Sequence, residues 1–206
     1  MKESSKIRNI AIIAHVDHGK TTLVDQLLKK SETLRERENL EERAMDNNDI
    51  ERERGITILA KNTAIGYKGY KINVLDTPGY FDFVGEVEEA MSAAGAAIIV
   101  VNGKAGVEVG TIKAWELCEK YKLPRIIYVS NMDVDNASFR QVVEDMTNLF
   151  GKKMAPFHLP IREDEKFVGY INVVSENANR WKGKEVIDCE IPDYSKDNLE
   201  LYKSTL

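Results

Sequence analysis

The stretch at residues 14–21, Ala14-His-Val-Asp-His-Gly19-Lys20-Thr21, constrains this chain more than any other. The apolar run RNIAIIA at 8–14 precedes it. After it, Leu23, Leu27 and Leu28, with Val24 beside them, recur at helical spacing through residues 21–30. A buried strand, a tight loop and a helix are therefore expected in that order. The stretch fits the pattern G-x-x-x-x-G-K-[ST], except that Ala14 replaces the first glycine. Small residues let successive backbone N–H groups curl round phosphate oxygens, and the following helix adds its positive end. In such a loop Lys20 bridges outer phosphates, Thr21 ligates Mg²⁺ and Thr22 reaches an inner phosphate. An ordinary glycine-containing turn has the same local look, so the motif needs support from elsewhere in the chain.

Two further positions supply it. Asp76-Thr-Pro-Gly79 follows the β-rich run at 70–76. An Asp there can hold a Mg²⁺ shell through water, and the Gly79 N–H can sense a terminal phosphate. A Pro-Gly turn after a strand is the plainer alternative. Asp133 lies just past the apolar run RIIYVS at 125–130. Its carboxylate can accept two hydrogen bonds from the N–H and exocyclic amine of a guanine ring. Adenine lacks that donor pair, so such a site discriminates strongly. A helix N-cap or a turn is the plainer role for an Asp.

Elsewhere the pattern alternates. β-rich runs at 56–67 and 70–76 flank Lys68-Gly69, a plausible hairpin turn; helix follows at 84–94, strand at 96–102, helix at 111–121, strand at 125–130 and helix at 137–150. Alternation of this kind predicts an α/β fold of the P-loop NTPase class, with a mostly parallel central sheet flanked by helices. Ligands of such sheets bind beyond the carboxyl ends of the strands. Residues 32–54 are dominated by Glu and Arg and read as a solvated helix face, a mobile effector loop, or both. After Gly151, Pro156, Pro160, Gly169, Gly183 and Pro192 punctuate short β-like stretches, including FVGYINVV at 167–174. The expected division is a core at 1–155 and part of an inserted subdomain at 156–206.

Composition narrows the class. A formal net charge of −5 argues against a nucleic-acid grip by this chain alone. No apolar run approaches the ~20 residues of a membrane span. Cys118 and Cys189 stand far apart without metal-ligand spacing and read as cytosolic free thiols.

Taken in order, Ala14-His-Val-Asp-His-Gly-Lys-Thr-Thr-Leu23, Glu51-Arg-Glu-Arg-Gly-Ile-Thr-Ile58 and Asp76-Thr-Pro-Gly79 resemble the translational GTPases over roughly residues 8–150. Residues 7–79 are most similar to the BipA/TypA branch. Residues 81–206 are more similar to elongation factor G and its paralogues, whose nucleotide domain carries an inserted subdomain. The resemblance implies a cytoplasmic, monomeric GTPase that meets the ribosome with GTP bound and leaves after hydrolysis. It implies phosphate binding by His15, Val16, Asp17, His18, Gly19, Lys20, Thr21 and Thr22, with Asp76 and Gly79. It implies Mg²⁺ held by Thr21 and Thr57 with Asp76 behind them, and an apolar gate of Val16 and Ile56 beside the attacking water.

The chain departs from the family in three places. The family reads D-T-P-G-H, whose His orients the attacking water; here that position is Tyr80. A phenol is longer and does not match the imidazole's hydrogen-bond geometry. Low intrinsic hydrolysis is expected, with a guanine-nucleotide-binding module of little or no turnover as the alternative. The base-reading motif N-K-x-D is here Ser130-Asn131-Met132-Asp133, so guanine preference at reduced affinity is expected. The last guanine-site motif, an S-A pair, has no candidate after residue 151, so the final core elements are expected to be missing. A P-loop ATPase or kinase, and a structural fragment that binds nothing, stay open as other classes.

Overall fold

The computed structural model describes residues 4–31, 59–79, 83–151, 154–164, 166–183 and 185–205. They group into two compact units. One comprises residues up to 102 together with 107–130, and the other residues 103–106 with those from 131 onward.

The first unit is built on a five-stranded sheet. Its strands are β1 (Ile7–Ala14), β2 (Lys61–Tyr67), β3 (Tyr70–Asp76), β4 (Ala96–Asn102) and β5 (Arg125–Ser130), in the order β2-β3-β1-β4-β5. β3, β1, β4 and β5 run parallel; β2 is an antiparallel edge strand. The β2–β3 hairpin turns on Lys68 and Gly69, at φ 46° and 79°. Two successive positive φ values suit the twist of a two-residue hairpin. Helices α1 (Lys20–Lys30), α2 (Val84–Ala93) and α3 (Val109–Lys120) cover the sheet.

Because helices lie on both faces, the central strands are apolar on both sides rather than alternating. Ala11 to Ala14 are all buried. Ile12, Ala14, Val74 and Val100 pack with Val24 and Leu28 of α1. The intervening residues Ala11, Ile13, Ile99 and Val101 point the other way, since successive side chains alternate across a strand. Chain order reverses about β1: the chain builds β2 and β3 to one side and β4 and β5 to the other. The carboxyl end of β1 is thus a switch point, the usual place for a ligand in an open α/β sheet. The fold class expected from the sequence is the one observed.

The second unit is a helix α4 (Phe139–Phe150), an antiparallel meander of β6 (His158–Glu163), β7 (Lys166–Asn172), β8 (Asn177–Lys182) and β9 (Glu185–Cys189), and a helix α5 (Asp193–Lys203). Its core joins Leu159, Ile161, Ile171, Val173 and Ala178 to Leu199 of α5, with Phe139 of α4 against them. Gly169 is needed there: a Cβ at that position would meet the Asn179 carbonyl oxygen at 2.1 Å. α4 starts two residues later than the sequence pattern suggests, because Ser138 caps it by accepting from the Gln141 N–H.

Candidate functional site

β1 ends at Ala14 and α1 begins at Lys20, so residues 15–19 turn the chain in five residues. Asp17 and Gly19 take left-handed φ values of 61° and 82°. Alternation of this kind lets neighbouring N–H groups face one concavity, the geometry of an anion nest. Lys20 is buried and its ammonium pairs with the Asp76 carboxylate at the end of β3, which is fully buried. The Thr77 hydroxyl donates to the Ile12 carbonyl at 2.9 Å and fixes the start of the D-T-P-G turn. Gly79 lies directly on the loop: a Cβ there would stand 3.5 Å from the Val16 Cα and 3.6 Å from the Ala14 oxygen. The two motifs therefore meet, although Lys20 and Asp76 are 56 residues apart in sequence. Thr21 and Thr22 occupy the first turn of α1, the former partly buried and the latter exposed.

His18 is clamped on every side. Its Nε2 donates to Glu108 Oε2 at 2.6 Å, and its Nδ1 accepts from the Asn102 N–H at 3.2 Å. The Ser130 hydroxyl donates to the His18 carbonyl at 2.6 Å, and the His18 N–H reaches the His15 carbonyl. Glu108 is itself fixed as the N-cap of α3. Its side chain accepts from the Thr111 N–H while the Thr111 hydroxyl accepts from the Glu108 N–H, a reciprocal capping box. His15 sits edge-to-face on His18, ring centroids 5.3 Å apart. It also closes on α3 so tightly that a Cβ on Gly110 would stand 2.6 Å from the His15 ring and 2.7 Å from its Cα.

Glu108 and Gly110 do not stand out in the sequence. Glu is an uncommon N-cap, and a glycine in the first turn hides the helix start. The only cue was that the helix pattern faded just where a Glu and a Thr stand three apart. Ser130, part of the base-reading motif expected from the sequence, donates its hydroxyl to the His18 carbonyl of the 15–19 loop.

In the second unit, Asn131 takes φ 51° and Asp133 is exposed in the turn that follows. Asp133 is not a helix cap, since that role belongs to Ser138. Met132 is buried, and its carbonyl accepts from the Arg162 guanidinium at 3.2 Å; the same Nη1 donates to the Ala137 carbonyl at 3.0 Å. Arg162 was invisible to sequence reading, lying in a mixed charged stretch. Tyr80, Ile56 and Thr57 lie outside the described residues. Among those described, no group of three or more His, Cys, Asp or Glu side chains has the arrangement to hold a metal ion by itself. No described helix is long and apolar enough to cross a membrane.

Comparison with known proteins agrees with this geometry. Residues 5–195 match the family model described as the elongation factor Tu GTP binding domain. The chain is 51% identical over 150 residues to the large ribosomal subunit assembly factor BipA of Bacillus subtilis strain 168, covering 73% of this chain and 24% of that protein. It is 38% identical over 182 residues to the mitochondrial ribosome-releasing factor 2 of Anopheles gambiae, covering 87% of this chain and 25% of that one. A crystal structure of a Thermus thermophilus protein superposes with a TM-score of 0.88 at 32% identity, over 98% of this chain and 31% of that one. The chain thus spans about a quarter of the length of these curated relatives. With the family model matching nearly the whole chain, this chain belongs to the elongation factor Tu GTP-binding domain family.

Proposed function

We propose that this chain is the part of a ribosome-associated translation factor that binds GTP and GDP and hydrolyses GTP as a conformational switch. The observation that carries it is the meeting of Lys20, Asp76 and the Gly79 backbone at the residue 15–19 loop. A buried ammonium held at the mouth of an N–H nest supplies the charge that outer phosphates need. Gly79 against Val16 gives the D-T-P-G turn direct contact with the loop that would report a terminal phosphate.

Mg²⁺ fits the donors on hand. The Thr21 hydroxyl is a hard oxygen ligand of the kind Mg²⁺ takes, Thr57 is the other ligand the resemblance assigns, and the Asp76 carboxylate would hold the ion's shell through water. The ion would neutralise charge between the outer phosphates. His15, Val16, Asp17, His18, Gly19 and Thr22 would complete the phosphate site, Ser130, Asn131 and Asp133 the base site, and Val16 with Ile56 the gate beside Tyr80. Residues 1–155 would form the nucleotide-binding core and 156–206 the start of the inserted subdomain. The antiparallel sheet from His158 supports that division, which must accommodate the grouping of residues 131–151 with the sheet. The relatives' names, an assembly factor of the large ribosomal subunit and a ribosome-releasing factor, support the ribosome as partner. A cytoplasmic monomer that contacts RNA only through the rest of its protein is the matching setting.

Tyr80 favours a second reading, in which the domain binds guanine nucleotide and turns it over little. Single-turnover GTP hydrolysis with and without ribosomes separates the two. The switch reading expects ribosomes to stimulate hydrolysis and Tyr80→His to speed it further. No hydrolysis by the parent under either condition, with nucleotide still bound, would leave the binding module as the function.

A further inference from the structure

We propose that Arg162 is a positioning residue for guanine recognition: from β6 its guanidinium holds the loop 131–137 that presents Asp133. The inference rests on Asp133 being the base-reading carboxylate.

The loop leaves the sheet in unusual backbone. Asn131 and Asn136 both take left-handed φ values, 51° and 65°, which non-glycine residues adopt at a cost. Such a turn keeps its shape when something outside it over-determines that shape. Arg162 does this at both ends, since its Nη1 donates to the carbonyls of Met132 and Ala137.

Arg162 is in turn held by the second unit. The Tyr194 hydroxyl of α5 accepts from the Arg162 N–H at 3.2 Å and donates to the Arg162 carbonyl at 2.9 Å. A register shift falls between Ile161 and Arg162, where β6 pairs with β7. Irregularities of this kind re-aim a side chain away from strict strand alternation.

The sequence gives this brace a reason. Where the N-K-x-D motif has its Lys, this chain has Asn131, and residues 131–137 carry no Lys or Arg of their own. The cation bonded to the loop's backbone comes from β6. Arg162 need not touch the base. It acts through the Met132 and Ala137 carbonyls, keeping the Asp133 carboxylate where a base N–H and exocyclic amine can both donate to it.

The test compares GDP with IDP, whose base lacks the exocyclic amine, by calorimetric titration of the 206-residue chain. Loss of generic stability weakens both nucleotides alike; misplacement of Asp133 weakens GDP more. Arg162→Met is expected to lower the GDP-over-IDP ratio about fivefold or more, at the scale of one misplaced hydrogen bond to a charged group. Asn131→Lys in that background is expected to restore part of it. An unchanged ratio in Arg162→Met would overturn the proposal. Should that variant fail to fold, Arg162→Gln carries the same test with the same outcomes. Asp133→Asn separates the two layers. If it leaves the ratio intact, the base-reading assignment itself fails. If it collapses the ratio while Arg162→Met does not, only the role of Arg162 fails.

Discussion

In the first unit the loop at 15–19 is tied to its surroundings through side chains and backbone alike. Lys20 is paired with Asp76, His18 is bonded to Glu108, Asn102 and Ser130, and Gly79 and Gly110 press on the backbone. In the second unit the loop at 131–137 leaves the Asp133 carboxylate exposed and is bonded to the Arg162 guanidinium through the Met132 and Ala137 carbonyls. On the proposed function, the first loop would hold phosphate through backbone N–H groups, so its whole shape matters and many neighbours fix it. The second would read the base through one side chain, which a few well-placed contacts are enough to hold. The first loop should therefore resist loss of peripheral contacts but fail badly when a buried partner goes. The second should lose specificity before it loses stability.

The largest effect is expected from Lys20→Met. It removes the ammonium paired with a carboxylate that has no exposed surface. Breaking a buried pair from one side typically costs about 3–5 kcal/mol. Urea denaturation of the nucleotide-free chain measures this, and the double variant Lys20→Met, Asp76→Asn should recover much of the loss. Equal stability of the single variant and the parent would mean that the first unit is not held through this pair.

Gly110→Ala should follow. Its new methyl would sit 2.6–2.7 Å from His15, two of the three nearest atoms being that residue's Cα and Cβ, so the loop or the start of α3 must move. Overpacking of this kind costs about 1–3 kcal/mol. The expected outcome is a lower midpoint in urea together with weaker GDP binding. Lost stability at unchanged affinity would show that α3 does not set the loop.

The smallest effect compares two thiols, one in each unit. Cys118 is buried and Cys189 partly exposed, so a thiol reagent at neutral pH should label Cys189 and spare Cys118. Burial raises the Cys118 pKa from 9.0 to about 11, with Arg125 opposing the rise. For an acid raised on folding, the unfolded chain ionises first. This thiol's contribution to stability is constant well below pH 9 and is lost as pH climbs from 9 towards 11, by about 1 kcal/mol at pH 10. Cys118→Ala should flatten that slope. Equal labelling of the two thiols would show that the first unit opens as readily as the second.

Much of the first unit was legible because apolar runs and turn residues coincide there. The strands at 96–102 and 125–130 have the boundaries their apolar runs suggest, and α1 differs by one residue. α3 begins at Val109 rather than 111, because its cap is a Glu and its first turn holds a glycine that only the close approach of His15 explains. α5 was not foreseen: prolines and glycines made residues 156–206 read as β-like throughout. Yet Pro192 opens that helix, and Ser195, Leu199 and Tyr202 line one side of it. The meeting of Lys20, Asp76 and Gly79 was legible because two motifs of fixed residue types stand at the ends of neighbouring strands. Glu108 and Arg162 were not, because their partners are ring nitrogens and backbone carbonyls brought near only by the fold.

Whether this domain is a guanine-nucleotide site at all is decided by calorimetric titration of the 206-residue chain with GDP and then ADP, in the presence of Mg²⁺. GDP binding with no measurable ADP binding is the expected result. Binding of ADP as tightly as GDP would contradict the base-reading assignment of Asp133, and binding of neither would contradict the assignment of the phosphate loop as well.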